Sequence, residues 1–130
     1  MRLLLDTHVI VWAVSVPENL SDAARSALVA DDSEVYVSPI SCAEIACAYE
    51  RKRLELDRHW RLWFHAALEQ NGWQNFPVDL PVIEEAYSLP PPVHGDPADR
   101  IILATARVRS CRIVTADSRL LRYPHAATIW

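Results

Sequence analysis

Short, largely apolar runs recur between stretches of helical periodicity, and that order limits the possible folds of this chain more than any other feature. The runs are Arg2–Leu5, Val35-Tyr36-Val37, a weaker Gln74–Val78, Arg112–Thr115 and a short Ala127–Trp130. Between them, apolar residues repeat at helical spacing over His8–Val14, Ser21–Ala30, Ser41–Arg53, Arg58–Gln70, Pro81–Leu89 and Pro97–Arg109. Strands apolar on both faces must be covered on both faces, which calls for helices above and below a parallel sheet. The expected class is α/β: a three-layer α/β/α sandwich around a central, mostly parallel sheet of four or five strands. Ser88–Gly95, with its three consecutive prolines, reads as an ordered loop. A chain of 130 residues suits one modest core, so residues 1–130 are expected to form a single domain.

Composition removes several function classes. Only Gly72 and Gly95 are glycine, which excludes glycine-rich phosphate cradles. Thirteen Lys+Arg against 17 Asp+Glu give a net charge of −4, so the chain is not a basic nucleic-acid-coating protein. Nearly all of its cations are arginine, and a local basic face stays open. Cys42, Cys47 and Cys111 form no C-x-x-C pair. They are expected to be free, reduced and mostly buried, which points to a cytoplasmic protein. The longest purely apolar run, Val9–Val14, is too short to span a membrane. Met1-Arg2-Leu3-Leu4-Leu5 does not continue into a signal peptide, because Asp6 and His8 interrupt it.

In an open parallel sheet, ligands gather beyond the carboxyl ends of the strands. Acids follow those ends almost every time: Asp6 after the first run, Glu44 after the second, Asp117 after the fourth. Asp96 and Asp99 open the Pro97–Arg109 helix. Each acid has a structural explanation of its own. Asp6, Asp96 and Asp117 suit helix N-caps, and Ser41-x-x-Glu44 has the spelling of a capping box. Yet capping is served equally by Ser, Thr or Asn and does not require acids at every place. Carboxylates crowded on one rim repel one another, and a hard divalent cation such as Mg²⁺ or Mn²⁺ removes the conflict. The chemistry such a site supports is metal-assisted phosphodiester hydrolysis.

Four segments together resemble the PIN domain, and most nearly the VapC-type ribonuclease toxins of bacterial toxin–antitoxin pairs. They are Leu4-Leu5-Asp6-Thr7-His8, Ser41-x-x-Glu44-Ile45-Ala46, Asp96-Pro97-Ala98-Asp99-Arg100-Ile101-Ile102-Leu103-Ala104-Thr105-Ala106 and Val114-Thr115-Ala116-Asp117. The resemblance runs from Met1 to about Pro124, and it implies that the family's acidic quartet falls on Asp6, Glu44, Asp99 and Asp117. Asp6, Asp99 and Asp117 would hold the metal, and Glu44 would orient or deprotonate the attacking water. Asp96 is either a helix cap or a further acid serving the metal site. Thr115 is either a bonding partner for water or phosphate, or simply a β-branched strand residue. Arg100 either meets RNA or pairs with an acid and positions it. His8 and His94 flank site acids, as proton carriers or as structural partners. Ala98 and Ala43 depart from the family, which often has an aromatic and a tryptophan at these places.

The resemblance further implies endonucleolytic cleavage of single-stranded RNA to a 3′-hydroxyl and a 5′-phosphate, a neutralising antitoxin, and a homodimer. No membrane association is expected. Arg51, Lys52 and Arg53, with Arg58 and Arg61, offer a surface for the RNA backbone. The Arg58–Gln70 helix carries an apolar face with Trp60 and Trp63, for the core or for an amphipathic partner. Two alternatives belong to other classes. One is a receiver-like phospho-acceptor module, which wants a lysine after the last strand, whereas the only lysine is Lys52. The other is a catalytically silent PIN-like binding protein, against which stands the complete quartet.

Overall fold

The computed structural model describes residues 1–130 and contains five strands: β1 (Arg2–Leu5), β2 (Glu34–Val37), β3 (Gln74–Asn75), β4 (Arg112–Val114) and β5 (Thr128–Ile129). All pair in parallel, in the order β3-β2-β1-β4-β5, with β1 at the centre. Seven helices connect them: α1 (Thr7–Ser15), α2 (Asp22–Val29), α3 (Pro39–Glu50), α4 (Trp60–Asn71), α5 (Leu80–Ala86), α6 (Pro97–Arg109) and α7 (Ser118–Leu121). The expected three-layer α/β architecture is therefore present. The receiver-like alternative is not, because that fold orders its strands β2-β1-β3-β4-β5.

The two-faced strands divide the interior in two. Leu3, Leu5, Val35, Val37 and Val114 face one core with Val9 and Ile10 of α1, Ile45 of α3, and Trp63, Phe64 and Ala67 of α4. Leu4, Tyr36 and Ile113 face the other, with Ile102, Leu103 and Ala106 of α6 and Leu120 of α7. Leu3, Leu4 and Leu5 are wholly buried, as β1 is flanked by strands on both sides and by helices on both faces. Truncating such a residue, for example Leu4→Ala, costs about 2–5 kcal/mol. Trp63 and the apolar face of α4 are used by the core, not left as a groove.

Several boundaries move, each for a physical reason. α3 starts earlier than Ser41, at Pro39, because Ser38 caps it: its Oγ accepts from the Ile40 amide at 3.2 Å, and proline sits at the first helical position. It also ends at Glu50, which leaves Arg51, Lys52 and Arg53 in an exposed turn past its end. α4 starts at Trp60 and leaves Arg58 outside, paired with Asp57. It closes on Gly72 at φ 66°, a conformation that favours glycine. β3 stops at Asn75, before Pro77, which has no N–H to give a ladder. The cysteines are all free, but only Cys111 is buried; Cys47 is exposed and Cys42 half-buried.

Candidate active site

Strand order reverses at β1, between β2 and β4, so the carboxyl ends of β1 and β4 open onto the crevice where α/β sheets bind ligands. Asp6 leaves β1 there, and its amide donates to the Val114 carbonyl of β4 at 3.0 Å. The Asp6 side chain is almost fully buried. Its Oδ1 accepts from the Thr7 amide at 2.8 Å, as an N-cap does, while Oδ2 accepts from Thr115 Oγ1 at 2.7 Å. Capping and site geometry thus coexist in one carboxylate. Thr115 also accepts the Asp117 amide at 3.0 Å, so one buried hydroxyl couples Asp6 to the Asp117 backbone. The role of Thr115 exceeds that of a β-branched strand residue.

Glu44 is not part of a capping box, since it lies in the second turn of α3 rather than at its start. Its Oε1 accepts from Thr7 Oγ1 at 2.5 Å, and Ser41 Oγ lies 2.9 Å from the same threonine hydroxyl. Burial lifts the Glu44 carboxyl above its ordinary value; the Thr7 bond works against that, and the charges of Asp6, Asp99 and Asp96 add to the lift. A glutamate raised this way holds a proton into a higher pH range than usual and, once ionised, takes one up more readily as a base.

Asp99 sits in the first turn of α6, where Asp96 caps the helix by accepting the Asp99 amide at 3.1 Å. Asp96 is thereby shown as a cap. Asp99 Oδ2 lies 2.6 Å from His94 Nε2. Burial raises this carboxyl too; the His94 bond lowers it, and the charges of Asp96 and Asp6 raise it further. Asp117 caps α7, accepting from the Arg119 amide at 2.8 Å. Burial acts to raise the Asp117 carboxyl, but the side-chain and backbone bonds of Arg119 and its charge outweigh it, and the carboxyl lies below its ordinary value. The Arg119 guanidinium reaches across the rim: Nη2 is 3.2 Å from Asp117 Oδ2 and 3.4 Å from Asp99 Oδ2.

The two histidines that flank the acids both touch the site. His8 Nε2 accepts the Ala116 amide at 3.0 Å, which leaves Nδ1 to face Asp6 Oδ2 at 3.5 Å. Arg100, by contrast, pairs with no acid. Its Nη1 donates to the Ala86 carbonyl at 3.1 Å and the guanidinium lies over the Tyr87 ring, because its helical position turns it toward α5. Arg119 takes the place foreseen for it. Sequence reasoning missed that role, as it missed Thr7 and Ser41. The only local signal for Arg119 is its spacing two residues after a capping aspartate.

No three of the His, Cys, Asp and Glu side chains stand close enough together to cage a metal ion as they are. The donor set still fits a hard divalent cation. It is all carboxylate oxygen, burial and neighbouring carboxylate charge raise Glu44 and Asp99, and a guanidinium already bridges Asp99 and Asp117. Beyond Glu44, a shallow cavity of about 220 Å³ runs along α3, lined by Glu44, Cys47, Ala48, Arg51 and Arg53.

Comparison with known proteins agrees with this fold. Residues 3–126 match the PIN domain family. The chain is 37% identical over 130 residues to Ribonuclease VapC22 of Mycobacterium tuberculosis, covering 98% of each. Its structure superposes on a chain of the crystal structure of VapBC2 from Rickettsia felis bound to a DNA fragment from their promoter, with a TM-score of 0.72 at 17% identity, covering 98% and 97%. DNA-bound VapBC from Salmonella typhimurium gives a TM-score of 0.69 at 16% identity, covering 98% and 96%. A toxin–antitoxin complex from Klebsiella pneumoniae gives 0.65 at 19%, covering 95% and 93%.

Proposed function

The chain belongs to the PIN domain family, and on that premise we propose that it is a Mg²⁺- or Mn²⁺-dependent endoribonuclease toxin restrained by a cognate antitoxin. The observation that carries the reading is the convergence of Asp6, Glu44, Asp99 and Asp117 on one rim, tied together through Thr7, Thr115 and Arg119, where burial and neighbouring charge lift Glu44 and Asp99. Relatives named as a ribonuclease and as VapBC complexes supply the substrate class and the antitoxin.

Asp6, Asp99 and Asp117 would hold the cation, which when bound would offset their charge and that of the transition state. Glu44, held at Oε1 by Thr7, takes the proton of the attacking water at its other oxygen. The water oxygen bonds to phosphorus as the P–O3′ bond breaks, and the departing O3′ takes a proton from solvent, giving a 3′-hydroxyl and a 5′-phosphate. Thr115 fixes Asp6, and His94 fixes Asp99. The groove from Glu44 to Arg51 and Arg53 takes the RNA backbone on the far side of the scissile bond. Exposed Leu80, Ile83 and Tyr87 share one side of α5 and suit a homodimer contact. The chain works as a single domain, and its free cysteines suit the cytoplasm.

The test is cleavage of single-stranded RNA by the purified chain with Mn²⁺ or Mg²⁺, beside Asp6→Asn and Asp99→Asn. Each variant is expected to lose roughly a hundredfold or more in rate. Equal cleavage by all three proteins overturns the assignment, and inertness of the wild type with either metal selects the silent binding protein.

A further inference from the structure

Arg119 is the one arginine that touches the rim carboxylates, and it is held there in two ways that differ in strength. Its backbone amide bonds Asp117 Oδ1 at 2.8 Å, within the cap of α7. Its guanidinium contacts are longer: 3.2 Å to Asp117 Oδ2, and 3.4 Å both from Nη2 to Asp99 Oδ2 and from Nε to Asp117 Oδ1. These lie at or past the long end of the usual N–H···O range, and the side chain is 52% exposed. Asp99 also meets His94 at 2.6 Å and Asp117 has its cap, two contacts that do not involve the guanidinium.

The geometry points to Arg119 as a resident counter-ion: its guanidinium holds Asp99 and Asp117 together in the metal-free protein and gives them up to a divalent cation. The inference rests on the metal-dependent reading above. Two carboxylates brought to one edge from residues 99 and 117 need positive charge to stay close. A guanidinium supplies it, but a divalent ion on the same oxygens repels that guanidinium at short range. Departure requires only side-chain rotation, since the backbone anchors remain. Arg119 is therefore a positioning residue that competes with the metal rather than a ligand for it.

The competition is read by calorimetric titration of the full chain with Mn²⁺ in the absence of RNA. Arg119→Gln is expected to bind Mn²⁺ about three- to tenfold more tightly than wild type, and Arg119→Lys to stay near wild type. In chelator, Arg119→Gln is expected to melt below wild type, a gap that closes at saturating Mn²⁺. A merely structural arginine would leave affinity unchanged or weaken it on removal. If wild type binds Mn²⁺ and Arg119→Gln binds it no more tightly, the counter-ion role is overturned while the metal-dependent reading stands. If neither protein takes up Mn²⁺, both fall together.

Discussion

The two halves of the carboxylate rim solve the same electrostatic problem with different chemistry. On the β1 and α3 side, Asp6 and Glu44 are held by the hydroxyls of Thr7 and Thr115, with Ser41 close behind. On the α6 and α7 side, Asp99 and Asp117 are held by His94 and by the Arg119 guanidinium. Hydroxyls are neutral, sit at fixed places on a buried framework and leave the negative charge intact. The Arg119 guanidinium offsets that charge but stands half in solvent and is exchangeable. One half is therefore built to keep its shape, and the other to change its partners.

The largest break of this contrast comes from Thr115→Val, which keeps the shape but removes the donor to Asp6 and the acceptor of the Asp117 amide. Both partners are then left unsatisfied where water has little access, so a loss of about 2–3 kcal/mol in urea unfolding is expected, with a fall in RNA cleavage. A smaller effect is expected in pH dependence under chelator. Glu44 and Asp99 keep protons in the folded state that the unfolded chain has released, so their contribution to stability falls as pH rises above the ordinary carboxylate range. Glu44→Gln should flatten that fall in unfolding curves from about pH 5 to about pH 8.

Asp117→Asn should act with the opposite sign. The Asp117 carboxyl is lowered by Arg119, so it stabilises above its unfolded range and loses that contribution as pH falls through its folded value. Its loss at neutral pH should not exceed about 1 kcal/mol, since the guanidinium bridge is solvent-screened. Smallest of all is Arg100→Ala. It removes a bond to the Ala86 carbonyl and should cost about 0.5–1 kcal/mol in stability, with RNA cleavage unchanged. A large drop in cleavage by Arg100→Ala would instead place it back at the rim.

How far the sequence could be read follows from how local each determinant is. β1 and α6 were legible to the residue. Leu3–Leu5 is apolar on both faces, and Asp96-Pro97 with the arginines near Arg109 marks both ends of a helix. The start of α3 was not, because Ser41-x-x-Glu44 imitates a capping box one turn inside a helix that Ser38 and Pro39 begin. β5 falls within the short Ala127–Trp130 run, whereas α7, with four residues, is too short to show a period. The acids could be named because each follows a strand or opens a helix. Their partners could not, since Thr7 with Glu44 and Arg119 with Asp99 meet only after the chain has folded back on itself.

The hydrogen bond from the Asp6 amide to Val114 has a consequence for how the rim opens in time. That amide belongs to the most enclosed strand pair, so its proton should exchange with solvent only when the whole domain unfolds. The Arg119 amide belongs to a four-residue helix and is anchored by one exposed carboxylate contact. It should exchange through local fraying at far lower free energy. Hydrogen exchange would then divide the rim into a slow half at Asp6 and a fast half at Asp117.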